Sequence, residues 1–198
     1  MPVSIIPSFL FFTIISSITP GPANLASISA AFQFGKKPAL KQWTGIFTGF
    51  FCIATAASIF TYFLGTVFTQ YVSKLVFIGA AYLVYLAIKM LRRTYSENRE
   101  LEKAPNFFSG LLVQFTNFKM MIFCVTCIST YMLPYRQDFL SLFFTGVLLT
   151  FMCPSACFLW IFAGVSLQKL FKNHQKIINI ILSLSLIACA VSIVIQNL

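Results

Sequence analysis

No ionisable side chain occurs between Met1 and Gly35, and a second charge-free run covers residues 42–73. Runs of this length constrain the fold more than any single motif. About 20 apolar residues suffice to cross roughly 30 Å of hydrocarbon. Only 9 % of the 198 residues are charged, whereas a soluble domain carries about 25 %. With 59 % apolar residues and 24 Phe, the chain has too little charge to solvate a globular surface. A soluble enzyme, a disordered chain and a fibrous protein are set aside, and a polytopic membrane protein remains.

Six spans are expected, and both termini then lie on the same side. The stretch 1–35 is too long for one straight span and too short for two at 1.5 Å per residue. Thr19-Pro20-Gly21-Pro22 interrupts it and cannot continue a regular helix, so it reads as one broken or kinked span. The second span covers 43–64, with Gly65 and the polar residues after it read as a loop. The third covers 75–91, the fourth 107–133, the fifth 139–167 with Pro154 in its middle, and the sixth 177–195. All of 1–198 is then a single integral membrane domain. It comprises a first three-helix half (1–91), a connecting loop (92–106) and a second three-helix half (107–198).

The net charge of +10 tests this layout. Lys36, Lys37 and Lys41 follow span one; Arg92, Arg93, Arg99 and Lys103 follow span three; Lys169, Lys172 and Lys176 follow span five. Only Lys74 and Arg136 fall in the loops on the other side. Basic residues collect on cytoplasmic loops, so the ten mark the cytoplasmic face and both termini face outward. The charge needs no nucleic acid to explain it. The N-terminus lacks the basic region and cleavage site of a secretory signal peptide.

Six cysteines, Cys52, Cys124, Cys127, Cys153, Cys157 and Cys189, all fall within expected spans. Cys124 and Cys127 form a C-x-x-C, the spacing of thiol–disulfide sites. Small apolar packing between membrane helices explains them better, and no His or carboxylate accompanies them as a metal ligand. A membrane electron carrier would need thiols near the break in each half, and span one has none. A scaffold without transport has little reason to carry a broken span or a buried Lys.

Three spans per half make the second half enter the membrane from the opposite side, the topology of an inverted repeat. Pro20-Gly21-Pro22 in span one and Asn117-Phe118-Lys119 in span four lie about 97 residues apart, near half the chain length. The expected fold class is therefore an all-α membrane protein. It has six transmembrane helices in a 3+3 inverted repeat, with spans one and four broken or kinked.

The residues 19–24, Thr-Pro-Gly-Pro-Ala-Asn, resemble the signature of the lysine-exporter and homoserine/threonine-exporter superfamily. Phe34-Gly35 with the basic residues after it, Gly45 and Gly49, Gly79-Ala80-Ala81-Tyr82-Leu83 through Lys89, and residues 114–119 continue the likeness over nearly the whole chain. Trp160 and the last span fit as well. Residues 114–134, with Ser129-Thr130 and Leu133-Pro134, look most like the cysteine/O-acetylserine exporter branch. Many members carry Asn where this chain has Ala23, and Pro where it has Phe118. The resemblance implies efflux of a small amino acid across a bacterial inner membrane without a cofactor, and 198 residues suffice for a minimal transporter alone or as a homodimer.

A zwitterionic substrate needs a partner for each charge, because either one buried alone is very costly. For the carboxylate the chain offers the half-helix beginning near Pro22, with its positive dipole end, and Lys119. Lys119 is the one charge near mid-span, where insertion costs about 2.5–3.5 kcal/mol. It either faces the site or snorkels and packs against carbonyls freed at the Pro20 break. For the ammonium the acceptors are the carbonyls of Thr19, Pro20, Gly21 and Pro22 and the side-chain oxygens of Asn24, Gln114 and Asn117. Each of these amides could equally bond between helices. No Asp or Glu lies in a span, so any proton coupling would fall to Lys119. Pro154 reads as a kink, with Cys153 and Ser155 beside it as candidate cavity residues. Trp43, Tyr82, Tyr85 and Trp160 read as packing or interface residues, and His174 as a solvated loop residue.

Overall fold

The computed structural model describes residues 2–91 and 104–166, with single positions between 177 and 191. After a 3-10 turn at Val3–Ile5 come α1 (Ile6–Ile18), α2 (Pro22–Phe34), α3 (Lys36–Leu91), α4 (Phe107–Phe115), α5 (Phe118–Tyr131) and α6 (Phe139–Ser166). No strand occurs among the described residues. Lys36–Gly65 and Phe139–Ser166 are each long and apolar enough to cross a membrane. Two further pairs qualify only when taken together: the 3-10 turn and α1 with α2, bent by 47°, and α4 with α5, bent by 63°.

One expectation is corrected. Residues 66–74, read as a loop, are helical, and α3 changes direction at Gly65 alone. Gly65 has φ 51° and ψ −135°, a backbone conformation that a residue with a Cβ rarely adopts. A single residue therefore does the work for which polar sequence suggested a loop. The third expected span, 75–91, is the helical end of α3. The residues of the connecting loop up to Lys103, together with Lys169, Lys172, His174, Lys176 and Cys189, lie outside the described residues. So does most of the sixth span.

Helix directions follow from which residues meet. Along α3 and α6 the partners run in opposite order. Lys36 lies over the Phe162 ring at 5.4 Å, the Trp43 and Phe158 rings are 4.3 Å apart, and Ser58 Oγ donates to the Leu142 carbonyl at 3.1 Å. These two helices are antiparallel. α4 runs parallel to the first part of α3: Gly45 faces the Phe107 carbonyl, Gly110 the Gln42 carbonyl, and Gly49 packs on Gln114. α2 runs parallel to α6, through Asn24 with Cys157 and Ile28 with Gly164. α1 runs antiparallel to α5, with Phe9 against Tyr131 and Thr13 against Cys127.

Close approach holds this arrangement, because lipid is as apolar as a Leu side chain and offers no hydrophobic drive between helices. A Cβ on Gly45 or Gly110 would collide with backbone of the facing helix. The core lies where α1, α3, α5 and α6 meet, around Phe9, Phe50, Ala54, Phe123, Cys124, Cys127, Ile128, Leu142, Leu149 and Cys153. On α6 the buried residues Leu142, Gly146, Leu149, Cys153, Cys157 and Ile161 recur at helical spacing. Leu140, Phe144, Leu148, Phe151, Leu159 and Phe162 form an exposed stripe on the same helix, suited to lipid.

Candidate functional site where two broken helices meet

The first break is built by proline. Thr19 precedes Pro20 and takes φ −55° and ψ 132°, the extended conformation that a following proline favours. Gly21, before Pro22, is extended too, at φ −157° and ψ 175°. Pro22 then opens α2 at a position where its missing N–H costs nothing. The last carbonyls of α1 are left without helical partners. Asn24, buried in the first turn of α2, reaches back to them: its Nδ2 donates to the Ser17 carbonyl at 2.8 Å and the Thr19 carbonyl at 3.1 Å. Its Oδ1 accepts from Cys157 Sγ on α6 at 3.3 Å.

The second break has no proline and is built by capping. α4 ends at Phe115 with Thr116 as its C-cap, and Asn117 caps α5 by accepting the Met120 N–H on its Oδ1 at 3.4 Å. Asn117 Nδ2 donates to Gln114 Oε1 at 3.4 Å. Asn117 and Gln114 are each 1 % exposed, so water does not compete for these bonds.

Lys119 joins the two breaks. It stands in the first turn of α5, where a helix dipole disfavours a cation. Its Nζ donates to the Thr19 carbonyl at 2.9 Å. There the dipole of α1 is negative, so the ammonium gains at one helix end what it lacks at the other. Gly21 allows this: a Cβ there would lie 3.2 Å from Lys119 Cδ and 3.6 Å from Nζ. The antiparallel course of α1 and α5 sets these ends face to face.

Of the eight residues singled out in the sequence, Thr19, Gly21, Asn24 and Lys119 are brought into one cluster. Pro20 and Pro22 shape its backbone. Gln114 and Asn117 pair at the second break, and Val113 beside them packs against the cluster that Ala23 forms with Ile46 and Cys157. Ser17 and Cys157 were missed. Ser17 contributes a backbone carbonyl, which no side-chain pattern reveals. Cys157 read as a packing residue, and only its contact with Asn24 singles it out. Ser155 is exposed and bonds to the Phe151 carbonyl within its own helix, while Cys153 is buried in the core. Cys124 and Cys127 are fully buried there too. Trp43 Nε1 donates to the Pro154 carbonyl at 2.8 Å, a packing contact. No group of residues suited to a metal ion occurs among the described residues.

A helical membrane protein with two bent helix pairs, joined at their breaks by one buried Lys, is the class that these elements define. The model of the LysE type translocators matches residues 14–197. The chain belongs to that family. It is 31 % identical over 190 residues to a cysteine/O-acetylserine efflux protein of Escherichia coli O139:H28 (strain E24377A / ETEC), covering 96 % of this chain and 97 % of that one. Proteins of the same description from Escherichia coli (strain K12) and Shigella sonnei (strain Ss046) are each 30 % identical over the same shares. No solved structure matches the chain.

Proposed function

We propose that this protein is a secondary transporter that exports small amino acids or related metabolites from the cytoplasm by alternating access. Cysteine and O-acetylserine lead the candidates, followed by homoserine, threonine and basic amino acids. The observation that carries this reading is the Lys119–Thr19 bond, which ties one helix break to the other across 100 residues of sequence. Each break leaves backbone groups without helical partners, and a membrane protein tolerates such groups only inside protein or along a cavity. Lys119 satisfies the Thr19 carbonyl. A substrate carboxylate draws the ammonium off, and the substrate's own ammonium replaces it. The substrate-binding residues are then Thr19, Pro20, Gly21, Pro22, Asn24, Gln114, Asn117 and Lys119.

The halves 1–91 and 107–198 act as the inverted repeats, rocking about this contact, in an inner membrane with both termini outside. The chain works as a monomer or a homodimer. Overexpression followed by profiling of amino acids in the medium tests the reading. Accumulation of cysteine or O-acetylserine is expected. No change in any amino acid removes the exporter assignment.

A further inference from the structure

The hydrogen bonds at the second break fix which way its two amides point. Met120 N–H donates to Asn117 Oδ1, so Asn117 Nδ2 must face Gln114. Gln114 therefore presents Oε1 to it, and its Nε2 becomes the outer end. That Nε2 is buried and has no acceptor among the described residues. The sequence suggested Gln114 as an acceptor for an ammonium, but its oxygen already receives a proton from Asn117. What Gln114 has to offer a ligand is a donor. It sits beside the positive N-terminal end of α5, a 14-residue helix that also carries Lys119. The first break has the opposite character: the carbonyls of Ser17 and Thr19 converge at the negative end of α1 and already hold two donors.

We propose that the α4–α5 break is a carboxylate subsite, in which Gln114 Nε2 and the Lys119 ammonium together bind the substrate carboxylate, while the Ser17 and Thr19 carbonyls accept its ammonium. The ligand class is a zwitterionic α-amino acid with both head groups free. The inference rests on the exporter reading and deepens it. Gln114 has the room it needs: its Cβ and Cγ pack on Gly49, where a Cβ would come within 2.9 Å and 3.2 Å of them. An amide donor buried without a partner is destabilising, and a carboxylate supplies the missing acceptor in a charge-assisted bond.

The test uses the purified full-length protein and three probes: L-cysteine, cysteamine (no carboxylate) and 3-mercaptopropionate (no amine). Binding is measured by calorimetry, and L-cysteine efflux is measured from proteoliposomes. Gln114→Ala is expected to weaken L-cysteine and 3-mercaptopropionate about tenfold while leaving cysteamine unchanged. Gln114→Glu, nearly isosteric, should weaken the two carboxylates further and cysteamine not at all. Equal losses for cysteamine and L-cysteine, or no loss for L-cysteine in either variant, overturn the subsite while wild-type efflux leaves the exporter reading standing. Wild-type protein that neither binds nor exports L-cysteine or O-acetylserine overturns both.

Discussion

Lys119 is costly to bury, and its ammonium donates to the Thr19 carbonyl at the end of α1. Replacing it removes the ammonium and leaves the Thr19 carbonyl with the Asn24 donor alone. Lys119→Ala is expected to reduce efflux to background in protein that still inserts, as checked by quantifying membrane-inserted protein alongside transport. Wild-type rates from such a variant would refute the role given to it. Cys157 acts one step removed. Its thiol donates to Asn24 Oδ1 and so holds Nδ2 towards the Ser17 and Thr19 carbonyls. A flipped amide would point oxygen at oxygen. Cys157→Ala should therefore slow efflux several-fold, while Cys157→Ser, which keeps a donor, should retain most of it. Equal losses in the two variants would show that packing volume matters and amide orientation does not. These pairings show where sequence reading stops. Pro20 announces a break by its own chemistry, and Asn117 stands out as polar within an apolar run. That Cys157 meets Asn24, 133 positions away, depends on α2 and α6 running side by side. Nothing local to either residue encodes that.

At the level of elements, the ends of helices carry more information than their middles. α4 opens with a capping box, in which Ser109 N–H donates to Asn106 Oδ1 at 3.0 Å and Asn106 N–H to Ser109 Oγ at 2.9 Å. α6 opens after Asp138, which accepts the Ser141 N–H at 2.9 Å. Hydrogen bonds from the Ser141 hydroxyl and N–H hold the Asp138 carboxyl below its ordinary value. A lowered native pKa adds stability above the unfolded value of about 4 and loses it as pH falls through the native one. The melting temperature of wild type should thus exceed that of Asp138→Ala at pH 7, and the gap should close below about pH 4. A gap independent of pH would refute an ionised cap. Where helices cross, the glycines decide. Gly45 and Gly110 admit the backbone of the facing helix, so Gly45→Val should force α3 and α4 apart. A lower melting temperature in detergent and reduced membrane yield are expected. The contrast with Gly65 is useful. It has open space where a Cβ would stand, so Gly65→Ala acts through backbone conformation alone.

For the whole molecule, helix direction and charge distribution bear on one question, the orientation in the membrane. The first part of α3 and α4 run the same way, and α6 runs against both. The start of α3, the start of α4 and the end of α6 therefore share one face. The turn before α6 lies on the other. Lys36, Lys37 and Lys41 stand at the start of α3 on the first face, and Arg136 stands in that turn. Sequence alone arrived at the charge asymmetry, because each loop carries its own count. It could not reveal the crossing partners that give the helices a common direction. If the basic face is cytoplasmic, Lys37 and Arg136, both exposed, lie on opposite sides of the membrane. Single cysteines at the two positions, placed in a Cys52→Ser, Cys189→Ser background that leaves only the four buried native thiols, report this directly. A membrane-impermeant maleimide applied to intact spheroplasts should label Arg136→Cys and leave Lys37→Cys unlabelled until the membrane is opened. The reverse pattern would place the basic end of α3 outside and refute this orientation.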